Sequence, residues 1–351
     1  MSGHRFGVFL PSWQGVERFS TAQMARITTD MRILFITSTR VGDAILSTGL
    51  LDYLITQYPG ARVTVACGGA AATMFKAVPG LERIIVLDKM AFSLHWLRLW
   101  ALCIGRIWDA VVDLRNSPMY YVLPSARRWR IGRSQRVEHR IKQLAAILGL
   151  EDHPPAPKLW LSNSIKARAS TLIGEGAPVI AVGPTANWRA KTWRAEHFVE
   201  LIYRLSGPEG IIPGARVAIF GRDDERPSAL SLIDAVPQER RIDLVGHLDL
   251  LEAFACLKHC DFYVGNDSGL MHLAAASGIP TLGLFGPTQK VLYAPWGDIC
   301  DVATTRVPFE EIFPENFDHR GAETLMDSLT VDDAEQAARS LWQRAQVEIR
   351  A

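Results

Sequence analysis

Arg32-Ile-Leu-Phe-Ile-Thr37 and Arg62-Val-Thr-Val-Ala-Cys67 are short runs of mostly apolar and β-branched residues. Between them, Ile45, Leu46, Leu50, Leu51, Leu54 and Ile55 recur at intervals of three and four. The short runs fit strands, and that spacing predicts a helix over 44–57. Further strands are expected at 83–87 and 110–114, which makes a βαβαβ unit. Alternation of this kind is the mark of a parallel sheet covered by helices on both faces.

The alternation pauses at His153-Pro-Pro-Ala-Pro157, where prolines disfavour both helix interiors and central strands. A second series follows, with strands expected at 179–182, 216–220, 242–245, 262–264 and 281–285 and helices at 195–205, 250–258 and 269–276. The chain is long for one domain at 351 residues, so two units with separate cores are expected. The division is residues 31–155, then 156–330, then a carboxyl-terminal helix over 331–351. Residues 1–30 precede the first strand pattern and are expected to be a flexible extension. In open parallel sheets ligands bind outside the carboxyl ends of the strands, so the expected site is a cleft between the units.

Thirty-eight basic and 37 acidic residues give a formal net charge of +1. No global field draws the chain to nucleic acid or to an anionic surface, and attraction for anions must be local. Five scattered cysteines in so long a chain argue against a disulfide framework and for a reducing compartment; a cytoplasmic location is expected. Cys256 and Cys260 flank His259 but lack enough companions for a structural zinc. No uncharged apolar stretch is long enough to span a bilayer, and residues 1–30 make a poor secretion signal. Gly42 stands where a dinucleotide fold wants G-x-G-x-x-G, and no P-loop pattern occurs. Nicotinamide oxidoreductases and P-loop phosphotransferases are thereby demoted.

Val264-Gly-Asn-Asp-Ser-Gly-Leu-Met-His-Leu-Ala-Ala-Ala276 runs from a strand through a polar turn into an alanine-rich helix. The first amides of that helix, near Ser268 and Gly269, lack intrahelical acceptors and carry the positive end of its dipole, a fit for a diphosphate. Asp267 suits a ribose hydroxyl or a plain helix cap, and His272 a ligand contact or a packed core position. Lys191, in the loop Gly183-Pro-Thr-Ala-Asn-Trp-Arg-Ala-Lys-Thr-Trp193, suits a leaving diphosphate or mere solvation. Asp43, after the first strand, is a general-base candidate or an N-terminal helix acid. Arg115, Arg127, Arg128, Arg130, Arg133, Arg136, Arg140 and Lys142 form a basic arm around Trp129 that suits an anionic glycan or glycolipid acceptor. Beside it, residues 92–108 carry Trp96, Trp100 and Trp108 with Arg98 and Arg106. That pattern fits a peripheral membrane contact, or a helix packed on its own sheet.

Three segments, VGDAILSTGLL near the start, the Lys191 loop and GNDSGLMHLAAASGIPTLGLFGPT, resemble the family 9 glycosyltransferases, which include the lipopolysaccharide heptosyltransferases. The resemblance covers residues 31 to about 340. It implies the GT-B fold, two Rossmann-like domains facing a central cleft, the first for acceptor and the second for a nucleotide-sugar donor. It further implies an ADP-heptose donor, inversion at the anomeric carbon, and no metal or other cofactor. In its terms Asp43 is the base and Lys191 contacts the donor phosphate. Thr185, Glu225, Asp267, Ser268, Gly269 and His272 then line the donor site. The thirty-residue extension and the single Cys300 after Trp296 depart from the family pattern. A sugar-nucleotide epimerase of the same fold and a non-catalytic sugar-nucleotide-binding protein are the alternatives; the first lacks a visible second acid-base set, and the second has no use for Asp43.

Overall fold

A computed structural model of the chain describes residues 31–132, 137–313, 317 and 323–350. The extension 1–30, and with it Arg133 and Arg136, lies outside the described residues. The first unit runs β1 (Arg32–Ile36), α1 (Val41–Leu46), α2 (Thr48–Gln57), β2 (Arg62–Cys67), β3 (Leu81–Val86), α3 (Leu94–Cys103), β4 (Trp108–Asp113), α4 (Met119–Val122) and β5 (Ser125–Arg130). Its strands are all parallel in the order β3-β2-β1-β4-β5. After α5 (Arg140–Ala145) and α6 (Asn163–Ile173) comes the second unit: β6 (Val179–Gly183), α7 (Ala195–Ser206), β7 (Arg216–Ile219), α8 (Arg226–Ala235), β8 (Arg241–Asp243), α9 (Leu250–Leu257), β9 (Phe262–Asn266), α10 (Gly269–Ser277), β10 (Thr281–Phe285), β11 (Cys300–Thr304) and α11 (Val331–Arg350). Its order is β11-β10-β9-β6-β7-β8, again parallel. This is the α/β GT-B architecture.

Both sheets are buried on two faces, and the two-residue period of a strand decides which side chain serves which face. Ile33 and Phe35 of β1 point into one cluster, Leu34 and Ile36 into another. In β6, Val179 and Ala181 separate from Ile180 and Val182 in the same way. Each unit keeps a cluster of its own, and a further cluster joins the two. Phe35 and Phe75 of the first unit belong to one continuous cluster with Phe254 and Met271 of the second. The helices at the seam, α1 and α10, are themselves in contact. α11 packs on α7, β10 and β11, so it covers the second sheet rather than standing apart.

The helix expected over 44–57 is two helices, and it begins earlier. Ser47 Oγ donates to the Ala44 carbonyl at 2.7 Å and Thr48 Oγ1 to that of Ile45 at 2.7 Å; such hydroxyl back-bonding competes with the helical ladder and bends it. The linker lies directly on α2. A Cβ on Gly49 would fall 2.3 Å from the Pro155 carbonyl oxygen and 2.4 Å from that of Ala156, so only glycine lets the two segments close.

Candidate active site

In each sheet the chain first adds strands on one side of its opening strand and then crosses to the other. The reversals fall between β1 and β4 and between β6 and β9, and such switch points leave a crevice at the carboxyl ends of the strands. Asp43 follows β1, Arg115 follows β4, the Lys191 loop follows β6 and Asp267-Ser268-Gly269 follows β9. Topology alone thus gathers four segments that are distant in sequence.

On the second unit, Lys191 Nζ lies 3.2 Å from Asp267 Oδ2, with the two side chains only 13% and 9% exposed. The solvated-lysine alternative is therefore wrong. Asp267 does not cap α10 either; the N-cap is Ser268, whose hydroxyl makes no capping bond and is buried without a partner among the described residues. The loop carrying Lys191 is fixed from below by Asn266, which accepts from Trp193 N at 2.9 Å and donates to the Pro184 carbonyl at 2.8 Å. Thr185 and Glu225 flank Gly221 together: a Cβ there would meet Glu225 Oε2 and Thr185 Oγ1, each at 3.7 Å. Glu225 also accepts from the Arg222 amide at 2.8 Å.

On the first unit, Asp43 sits in the first turn of α1 behind an Arg40 N-cap and makes no capping bond. Among the described residues it has no hydrogen-bond or ion-pair partner. Its helix abuts the donor-side helix closely: a Cβ on Gly42 would approach His272 Cδ2 to 3.1 Å, and one on Gly269 would reach Val41 Cγ1 at 2.9 Å. At Gly269 it is thus the opposite unit that comes close. His272 is buried, and burial pushes its imidazole down to about 4. It is neutral at physiological pH, with Nδ1 unpartnered among the described residues.

Two site residues escaped the sequence reading. Tyr293 sits where the fields of Asp43, Arg140, Arg40 and Asp267 meet, and burial raises its phenol; nothing in its local sequence sets it apart. His139 caps α5 by accepting from Ile141 N at 3.2 Å through Nδ1, and its Nε2 lies 2.9 Å from the Ala294 carbonyl. Because an amide can only donate, the proton must be on Nε2, so His139 donates across the seam. Its ring also packs on Trp296, 4.7 Å between centroids.

The basic arm does not act as one group. Arg115 is at the crevice, its guanidinium 4.8 Å over the Trp96 ring and its Nη1 buried without a partner among the described residues. Arg130, at the carboxyl end of edge strand β5, reaches Asn116 Oδ1 at 3.3 Å and the Tyr121 hydroxyl. Arg128 donates weakly to the Tyr120 carbonyl at 3.4 Å. Arg127 is turned away: it pairs in register with Ala110, low in β4, and contacts the Tyr58 hydroxyl at the far end of α2. Arg133 lies outside the described residues. Cys256 and Cys260 are buried thiols, the second donating to the carbonyl of the first at 3.4 Å.

The family model described as glycosyltransferase family 9 (heptosyltransferase) matches residues 109–307. Lipooligosaccharide heptosyltransferase 2 of Haemophilus influenzae is 28% identical over 307 residues, covering 76% of this chain and 87% of that protein. Among solved structures, a family 9 glycosyl transferase from Veillonella parvula superposes with a TM-score of 0.71 at 18% identity, covering 90% of this chain and 98% of that one. The E. coli ADP-heptose lps heptosyltransferase II gives 0.68 at 22% identity, covering 90% and 100%.

Proposed function

The chain belongs to glycosyltransferase family 9, and from that premise we propose that it moves heptose from ADP-heptose to a lipopolysaccharide core acceptor with inversion. Asp43 takes the acceptor hydroxyl proton as that oxygen attacks the anomeric carbon. The bond from that carbon to the diphosphate breaks, and ADP leaves with the electron pair. Lys191 and the first amides of α10 neutralise the charge developing on the leaving group, a role that calls on no metal. Thr185, Glu225, Asp267 and His272 hold the nucleotide in the domain 156–330. Arg115 and Arg130, in the domain 31–155, receive an anionic acceptor at the cytoplasmic face of the inner membrane.

The observation that supports this reading is the packing of α1, whose first turn carries the unpaired Asp43 carboxylate, on α10, which begins right after the Asp267 paired with Lys191. Relatives named as heptosyltransferases in several bacteria support the sugar and the acceptor class. The test is ADP release from ADP-heptose in the presence of lipopolysaccharide core. Asp43→Asn is expected to lower turnover by roughly 10² to 10⁴ while ADP affinity and Tm stay unchanged. Since Asp43 makes no cap, Asp43→Ala should agree with it. Normal turnover in both variants would place the base elsewhere, and a larger Tm shift with UDP or GDP than with ADP would overturn the donor.

A further inference from the structure

A helix on the outside of a domain ordinarily turns apolar residues inward and charged ones outward. α3 departs from this. Its inward stripe is His95, Leu99 and Cys103, yet Leu94 and Leu97 on the opposite side and Leu102 on the flank are exposed, with Arg98 as the single charge. The exposure continues on both sides of the helix through Met90, Phe92, Ile104 and Ile107, and onto neighbouring α4 through Tyr121 and Val122. Nine of the fifteen large hydrophobic side chains most exposed among the described residues fall between 90 and 122. Phe92, 97% exposed, stands on a backbone in which it and Ser93 both have positive φ, 51° and 59°, a conformation bulky residues seldom adopt.

The charges around this patch are mostly basic. Lys89, Arg98, Arg115, Arg128 and Arg130 have no ion-pair partner among the described residues, whereas Arg106 is paired with Glu82 at 2.9 Å and Asp88 is an exposed acid at the edge; the free charge is therefore basic, although the whole chain is nearly neutral. An apolar face rimmed by cations is complementary to an anionic bilayer surface, where leucine and phenylalanine enter the acyl boundary and arginine meets phosphate. Position agrees with this. Phe92 and Leu94 follow the carboxyl end of β3, and Trp96 carries Arg115 over its ring, so the patch runs into the mouth of the crevice.

We propose that α3, the loop before it and α4 form a membrane-seating face that presents the crevice to an acceptor held in an anionic leaflet. This rests on the glycolipid acceptor proposed above and specifies the surface that reaches it. The test is co-sedimentation of the full chain with phosphatidylglycerol-containing vesicles and with pure phosphatidylcholine vesicles, for the unmodified protein and for Phe92→Ser with Leu97→Ser. Both sites are exposed and outside the catalytic groups. Binding to the anionic vesicles, weakened by salt and reduced about tenfold or more in the double variant, is expected. ADP binding and turnover on a delipidated core oligosaccharide should be unchanged in that variant. Absence of sedimentation, or equal sedimentation of variant and parent, overturns the proposal. A concentration-dependent dimer in light scattering that the double variant abolishes would also overturn it, by giving the face to a second copy. If vesicle binding behaves as expected but no heptose is transferred, the membrane face stands and the acceptor assignment fails.

Discussion

Removing the Lys191 amine does two things at once, because it also strands the Asp267 carboxylate in a largely buried position. Lys191→Ala should weaken ADP binding roughly 10- to 100-fold, as expected for one lost charge-assisted hydrogen bond. It should also lower stability by about 1–3 kcal/mol. Adding Asp267→Asn relieves the stranded charge, so the double variant should regain melting temperature without regaining the Lys191 share of affinity; calorimetric titration and thermal melts separate the two. If the double variant bound ADP like the parent, the lysine would serve the fold alone. His272 gives a pH signature. Its folded pKa of about 4 lies below the ordinary 6.5, so the unfolded chain binds the proton more readily. The stabilisation is complete above pH 6.5 and is lost as pH falls toward 4, on the order of 3 kcal/mol over that window. Denaturant midpoints at pH 7 and pH 4.5 should therefore converge in His272→Asn relative to the parent. Equal pH slopes would show that the imidazole titrates normally.

Helices α1 and α10 meet through glycines, and that contact sets the distance from base to donor. Gly269→Ala brings a methyl within 2.9 Å of Val41 Cγ1, so α1 must shift and carry Asp43 with it. Turnover should fall by more than donor affinity does, and adding Val41→Ala, which deletes the obstructing methyl, should restore part of it. No recovery in that double variant would place the damage in the α10 backbone instead. The same elements show how far the sequence could be read. The strands beside the switch points were legible because their apolar runs are short, buried on both faces and bounded by polar turns. β5 was not, since Ser-Ala-Arg-Arg-Trp-Arg is an edge strand exposed along most of its length and carries no apolar alternation. Asp43, Lys191 and Asp267 were each legible as candidates from their places after strands. Their mutual arrangement was not, because the pairing of Lys191 with Asp267 spans 76 positions. Tyr293 and His139 were missed for the same reason: contacts made by the fold, rather than a local pattern, bring them to the crevice.

At the level of the entire chain, the shared cluster joining Phe35 and Phe75 to Phe254 and Met271 couples the two units energetically. Calorimetry should show one cooperative transition, with equal van't Hoff and calorimetric enthalpies; two resolved transitions would mean that the seam contributes little. A common floor also restricts opening of the crevice to its rim, where His139 spans the seam to Ala294. That imidazole proton is committed to a carbonyl of the other unit. In solution it should give a protected, slowly exchanging nitrogen-bound resonance, absent in His139→Asn. Its exchange with solvent requires the bond to break, so the exchange rate of this single proton, followed with and without ADP, reports how readily the rim of the crevice opens in each state.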